Sequence, residues 1–78
     1  MIWAVADEAG IINLMLKSYG LRIAPAMSKY VLEQLAGAGP SDGKVPVIGG
    51  DARTGVPVRR LIPTHELRDA LASGEFTA

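Results

Sequence analysis

The sequence predicts a small, mainly α protein carrying one β-hairpin, an α+β fold in the order α-α-β-β-α. Three observations lead there. Between residues 8 and 36 apolar side chains recur at intervals of three and four, the period of a helix with one buried face. Two β-prone runs, Val45-Pro46-Val47-Ile48 and Val56-Pro57-Val58-Arg59-Arg60-Leu61-Ile62, are then separated by a glycine-containing segment, as in a hairpin. Finally, Pro63-Thr64 stops the second run, and helical spacing returns with Leu67, Ala70 and Leu71. The 78 residues suffice for a single domain, spanning 1–78, that buries only about 60–65% of its unfolded surface.

The first helix is expected to begin near Ala6 or Asp7, because Asp7 and Glu8 place negative charge at the positive end of the helix dipole. Its stripe is Ile11, Ile12, Met15, Leu16 and Tyr19, with Leu14 off it, which makes it more apolar than an ordinary surface helix. Gly20 can take the left-handed conformation that ends a helix. Pro25 suits the first position of the next one. The second helix runs to Ala36 with Met27, Tyr30, Val31, Gln34 and Leu35 along one stripe and Ser28, Lys29 and Glu33 toward the other side. Gly37-Ala38-Gly39-Pro40 ends it, and Pro40-Ser41-Asp42-Gly43 is turn chemistry. Pro46 limits the first strand to an edge or irregular position, and Gly49 to Gly55 form a flexible connection to the second. The third helix opens with Thr64 as a hydroxyl N-cap and Glu66 in its first turn, and Ser73-Gly74 closes it.

Composition excludes several functions. The chain is 49% apolar and 21% charged, values of a folding globular protein. It has no cysteine, hence neither disulfides nor a cysteine-ligated metal. The longest uncharged run from Ala9 to Leu16 is far short of the roughly 20 residues of a membrane span, and the N-terminus lacks the basic start of a signal peptide. A soluble, cytoplasmic protein without membrane contact is expected. Eight basic residues balance eight acidic ones, but unevenly. Residues 17–32 hold Lys17, Arg22 and Lys29 without an acid, and residues 44–60 hold Lys44, Arg53, Arg59 and Arg60 against Asp51, so each stretch is +3. If the two meet in space, a neutral chain presents a basic face.

Catalytic chemistry is thin. The one histidine, His65, has Asp69 one turn along the same helix, an (i, i+4) pairing ordinary on exposed helices. One histidine and no cysteine make a tight transition-metal site improbable. Gly50 and Gly55 are spaced as in a phosphate-binding P-loop, but the chain continues Val56-Pro57 where that loop needs Lys and Ser or Thr. Neither a cofactor nor an enzymatic activity is expected.

Two helices joined by a glycine-containing turn and followed by a basic hairpin form a helix-turn-helix with a wing. In such motifs the second helix enters the major groove of double-stranded DNA while basic loops grip phosphates. Arg22, Ser28 and Lys29 are then the candidates on the turn and second helix. Arg53 and Thr54 at the hairpin tip, with Lys44, Arg59 and Arg60 on its flanks, are the candidates for the backbone or the adjacent minor groove. The series Val5-Ala6-Asp7-Glu8-Ala9, Tyr19-Gly20-Leu21-Arg22-Ile23-Ala24-Pro25, Val45-Pro46-Val47-Ile48-Gly49-Gly50 and Arg59-Arg60-Leu61-Ile62-Pro63-Thr64-His65-Glu66-Leu67 resembles the excisionase-like helix-turn-helix proteins of the MerR superfamily. The resemblance implies phage excision or small-scale transcription regulation, often with DNA bending or cooperative binding of several copies. The chain departs from that pattern in its longer, more apolar first helix, in a second helix poor in base-reading side chains, and in its neutral charge. The other expectation is a protein-interaction module. Trp3, Ile11, Leu14, Met15 and Leu16 spread over more than one face of the first helix, and whatever a small core leaves uncovered becomes a contact for a partner or a second copy.

Overall fold

The computed structural model describes residues 5–37 and 43–74, and the side chains from residue 8 onward. Three helices pack on one face of a three-stranded antiparallel sheet. The order is α1 (Val5–Tyr19), β1 (Leu21–Arg22), α2 (Pro25–Ala36), β2 (Lys44–Asp51), β3 (Pro57–Pro63) and α3 (Thr64–Ala72), and β2 lies between β1 and β3. Gly20 ends α1 at φ 64°, the left-handed region where a side chain would be strained. Pro25 opens α2.

The core is formed by Ile11, Leu14 and Met15 of α1, Leu21 and Ile23 of the linking segment, Val31, Leu32 and Leu35 of α2, Val45, Val47 and Ile62 of the sheet, and Leu67 of α3. Leu14, expected off the buried stripe, is in the core: packing on both α2 and the sheet widens the covered arc of α1 beyond one stripe. In α2 the buried positions are Ser28, Val31, Leu32 and Leu35, so the covered face is rotated toward Ser28, and Gln34 is exposed. The rotation leaves no polar group unsatisfied, because the Ser28 hydroxyl donates to the Pro25 carbonyl at 2.6 Å.

Three further expectations are corrected. Leu21–Arg22, expected only as a lead into α2, is a strand paired with β2 through Leu21↔Asp51 and Arg22↔Gly50. Gly49, Gly50 and Asp51, expected in a flexible connection, belong to β2, and only residues 52–56 separate it from β3. Thr64 is the first residue of α3, which has Pro63 at its cap and no side-chain cap hydrogen bond; the Thr64 amide instead donates to the Gly43 carbonyl at 2.8 Å. The turn expected at Pro40–Asp42 and the position of Trp3 lie outside the described residues.

Strand alternation sorts the sheet into two faces. Val45, Val47, Val58, Arg60 and Ile62 share the helix-facing side. Arg22, Lys44, Ile48, Arg59 and Leu61 share the other. No described helix is long and apolar enough to cross a membrane.

Candidate nucleic-acid interface

The two basic stretches are joined by the sheet itself. β1 pairs with the end of β2 nearest the turn, and the Ala52 amide donates to the Gly20 carbonyl at 2.8 Å. The corner between α1 and α2 is thus fastened to the hairpin tip. On the outer face of the sheet Arg22 lies opposite Gly50, whose lack of a side chain leaves space beside it, and Arg59 lies opposite Ile48. Lys44 is on the same face, and no strand residue of that face is acidic. Arg22, Lys44 and Arg59 are all exposed.

Arg53 and Thr54 occupy an ordered turn. The Asp51 carboxylate accepts from the Arg53 and Thr54 amides at 2.7 and 3.1 Å, the side-chain mimicry of a backbone turn that aspartate favours. These two amide bonds, more than the neighbouring Arg53 charge, hold its carboxyl below the usual 3.8. The Gly55 amide donates to the Asp51 carbonyl and the Asp51 amide to the Val56 carbonyl, each at 2.8 Å. Gly55 has φ 78°. The Thr54 hydroxyl accepts from the Val56 amide at 3.2 Å, and its side chain also helps to stabilise the Asp51 carboxylate. Both Arg53 and Thr54 are exposed on this tip.

Three candidates are placed differently. Ser28 is 0% exposed and its hydroxyl is engaged with Pro25, so it cannot reach a base edge; the one-sided stripe assumed for α2 had put it on the wrong side. Arg60 points to the helix-facing side, opposite Val47. Its guanidinium donates to the Tyr19 carbonyl at 3.1 Å and sits 5.9 Å from the Tyr19 ring centroid, closing the carbonyl end of α1. Adjacent strand residues face opposite ways, so Arg59 and Arg60 cannot serve one surface. Lys29 is exposed, but it lines a depression between α1 and α2 together with Glu8, Leu32, Glu33 and Ala36. Two carboxylates there oppose a phosphate.

Reasoning from sequence missed a groove of about 320 Å³ between α2 and the hairpin, lined by Met27, Tyr30, Pro46, Ile48 and Arg59. The signal was present in the alternation of Val45 and Val47 against Pro46 and Ile48. Among the described residues the exposed large apolar side chains are Ile48 at 54%, Val56 at 57% and Leu61 at 53%, all on the hairpin. In contrast, Ile11, Leu14 and Met15 of the patch expected on the first helix are buried, while Leu16 is half-buried.

Tyr19 ties three elements together. Its ring takes the Arg60 cation, and its hydroxyl donates to Glu66 of α3. Burial first, then the Glu66 hydrogen bond and charge, push its hydroxyl up from 10.0 to about 12, with Arg60 acting in the opposite direction. A raised folded value means the protonated tyrosine stabilises the fold fully below pH 10.0 and loses that contribution as pH rises through about 12. The urea midpoint of the wild-type chain is therefore expected to exceed that of Tyr19→Phe at pH 9, with the gap closing between pH 10 and 12. A gap constant across that window would show that Glu66 does not hold the phenol proton.

Among the described residues no cluster of three or more metal-ligating side chains forms, and His65 is exposed on α3. No protein-family model matches the chain, and no curated protein matches it either.

Proposed function

We propose that the protein is a winged helix-turn-helix protein that binds double-stranded DNA, with the β2–β3 hairpin as the wing. The observation that carries this reading is the strand register that collects Arg22, Lys44 and Arg59 on one acid-free face of the sheet, next to a rigid turn displaying Arg53. Phosphates supply most of the affinity in such complexes. The α2 surface offers little for base readout. Its exposed residues are Pro25, Ala26, Lys29, Glu33, Gln34 and Ala36; near its N-terminus only Lys29 can reach a base edge, with Glu33 and Gln34 lying in its last turns, so backbone contact and duplex shape dominate over direct readout. The likeness to excisionase-like proteins supports a role in DNA rearrangement or transcription control, with the hairpin rather than α2 making the principal contacts.

Four cations, Arg22, Lys44, Arg53 and Arg59, face outward on the sheet and turn. Titrating salt against a fluorescently labelled duplex is expected to give a slope of log affinity on log salt of about −3 to −4. Arg53→Ala is expected to weaken binding and to make that slope shallower by about one, whereas Arg60→Ala should lower stability and leave the slope unchanged. No binding at low salt, or a flat salt dependence, refutes the reading. A second reading, a protein-docking hairpin, is favoured by the exposure of Ile48, Val56 and Leu61; light scattering across a concentration series tests its self-associating form.

A further inference from the structure

Ile48, more than half exposed in the middle of a strand, lies with Met27, Tyr30 and Pro46 along a groove whose charged lining residue is Arg59. An exposed apolar side chain is ordinary, but an apolar channel with a guanidinium in it is a more particular surface. We infer that this groove seats one sugar–phosphate strand of the bound duplex, deoxyribose rings against Met27 and Ile48 and a phosphate on Arg59. The inference rests on the DNA-binding reading and adds to it where on the molecule the strand runs.

Two features select this occupant. The first is charge. Among the described residues, a depression of α2 toward α1 contains Glu8 and Glu33, whereas the one toward the hairpin has no acidic lining residue. A polyanion is repelled from the first and drawn to the second. The second feature is alternation of chemistry. A nucleic-acid strand presents apolar sugar edges between anionic phosphates, and the groove offers apolar walls beside Arg59, whereas a wholly apolar partner would leave the guanidinium without a counter-charge. The groove also lies between α2 and the wing, so a strand within it separates the duplex groove facing α2 from the one facing the hairpin.

The test uses the full chain and a labelled 20-base-pair duplex of mixed sequence, with anisotropy read across a salt series. Ile48→Asn and Met27→Gln remove apolar wall without changing charge, and are expected to weaken binding by about five- to tenfold at unaltered salt slope. Arg59→Gln is expected to weaken it to a similar degree with a slope shallower by about one. Circular dichroism melts establish that each variant is folded, and the largely exposed Ile48 serves as the primary site should Met27→Gln fail to fold. If wild type binds and both Arg53→Ala and Arg59→Gln weaken it, but Ile48→Asn binds like wild type, the strand does not occupy this groove and only this inference falls. If Ile48→Asn leaves DNA affinity intact and instead changes the oligomeric state, the groove is a protein contact and the inference is likewise overturned. A wild-type chain that binds no duplex at low salt removes the DNA reading itself.

Discussion

Leu67→Ala is expected to cost about 3 kcal/mol, within the range for emptying a buried leucine site. Leu67 is fully buried and is the one completely buried apolar side chain that α3 contributes. A chain of 78 residues has a total stability of roughly 4–12 kcal/mol, so this one substitution removes a quarter or more of it and leaves only about 1 kcal/mol at the lower end. Beyond the Thr64 amide bond to Gly43, two side-chain ties reach α3, Tyr19 to Glu66 and the Arg68 guanidinium to the Leu35 carbonyl at 2.9 Å, but both involve long or exposed side chains whose net contribution is small. Urea unfolding measured by circular dichroism gives the value. A loss below about 1 kcal/mol would show that α3 lies outside the cooperative unit.

Gly49→Ala is the second large expected effect. A Cβ at Gly49 would lie 2.7 Å from the Arg22 carbonyl oxygen and 3.0 Å from a methyl of Ile23. The first contact is with backbone, which cannot rotate aside as a side chain can. The cheapest relief is for β1, two residues long and at the sheet edge, to move off β2. We expect a cost of about 2 kcal/mol, typical of overpacking, together with faster amide exchange at Ala52, whose hydrogen bond to Gly20 depends on that pairing. Because Arg22 moves with β1, duplex affinity should also fall. Unchanged Ala52 protection would mean that the strand absorbs the methyl in place.

What the sequence made legible was mostly local. Gly20 and Pro25 bracket the linking segment, Val45 to Ile62 alternates as a hairpin must, and Gly74 follows the last helix; each has a cause within a few residues. β1 had none. Leu21 and Arg22 become a strand only because Gly50 and Asp51, some thirty residues away, supply partners, and two residues carry no period. Ser28 was misplaced because the stripe through Met27, Tyr30 and Gln34 leaves it on the far side, whereas the covered face is rotated toward it and its hydroxyl satisfies itself on its own helix. The opposite orientations of Arg59 and Arg60 were readable from strand parity alone. The setting of Lys29 was so only in part: Glu33 stands four residues along the same helix, but Glu8 comes from another helix, a juxtaposition known only once α1 and α2 are packed. The sheet therefore collects Arg22 with Lys44 and Arg59 on one face, and Lys29 is not among them.

The short β1 pairing and the Gly20–Ala52 bond also have a mechanical meaning. They tie the helical corner to the hairpin tip, so the two would meet a ligand as one stiff gauge with two prongs. If the protein binds DNA as proposed, a duplex whose intrinsic curvature already matches that gauge binds without distortion, and any other must be bent at a cost in affinity. Discrimination among sequences would then follow flexibility of base-pair steps, even where no side chain touches a base.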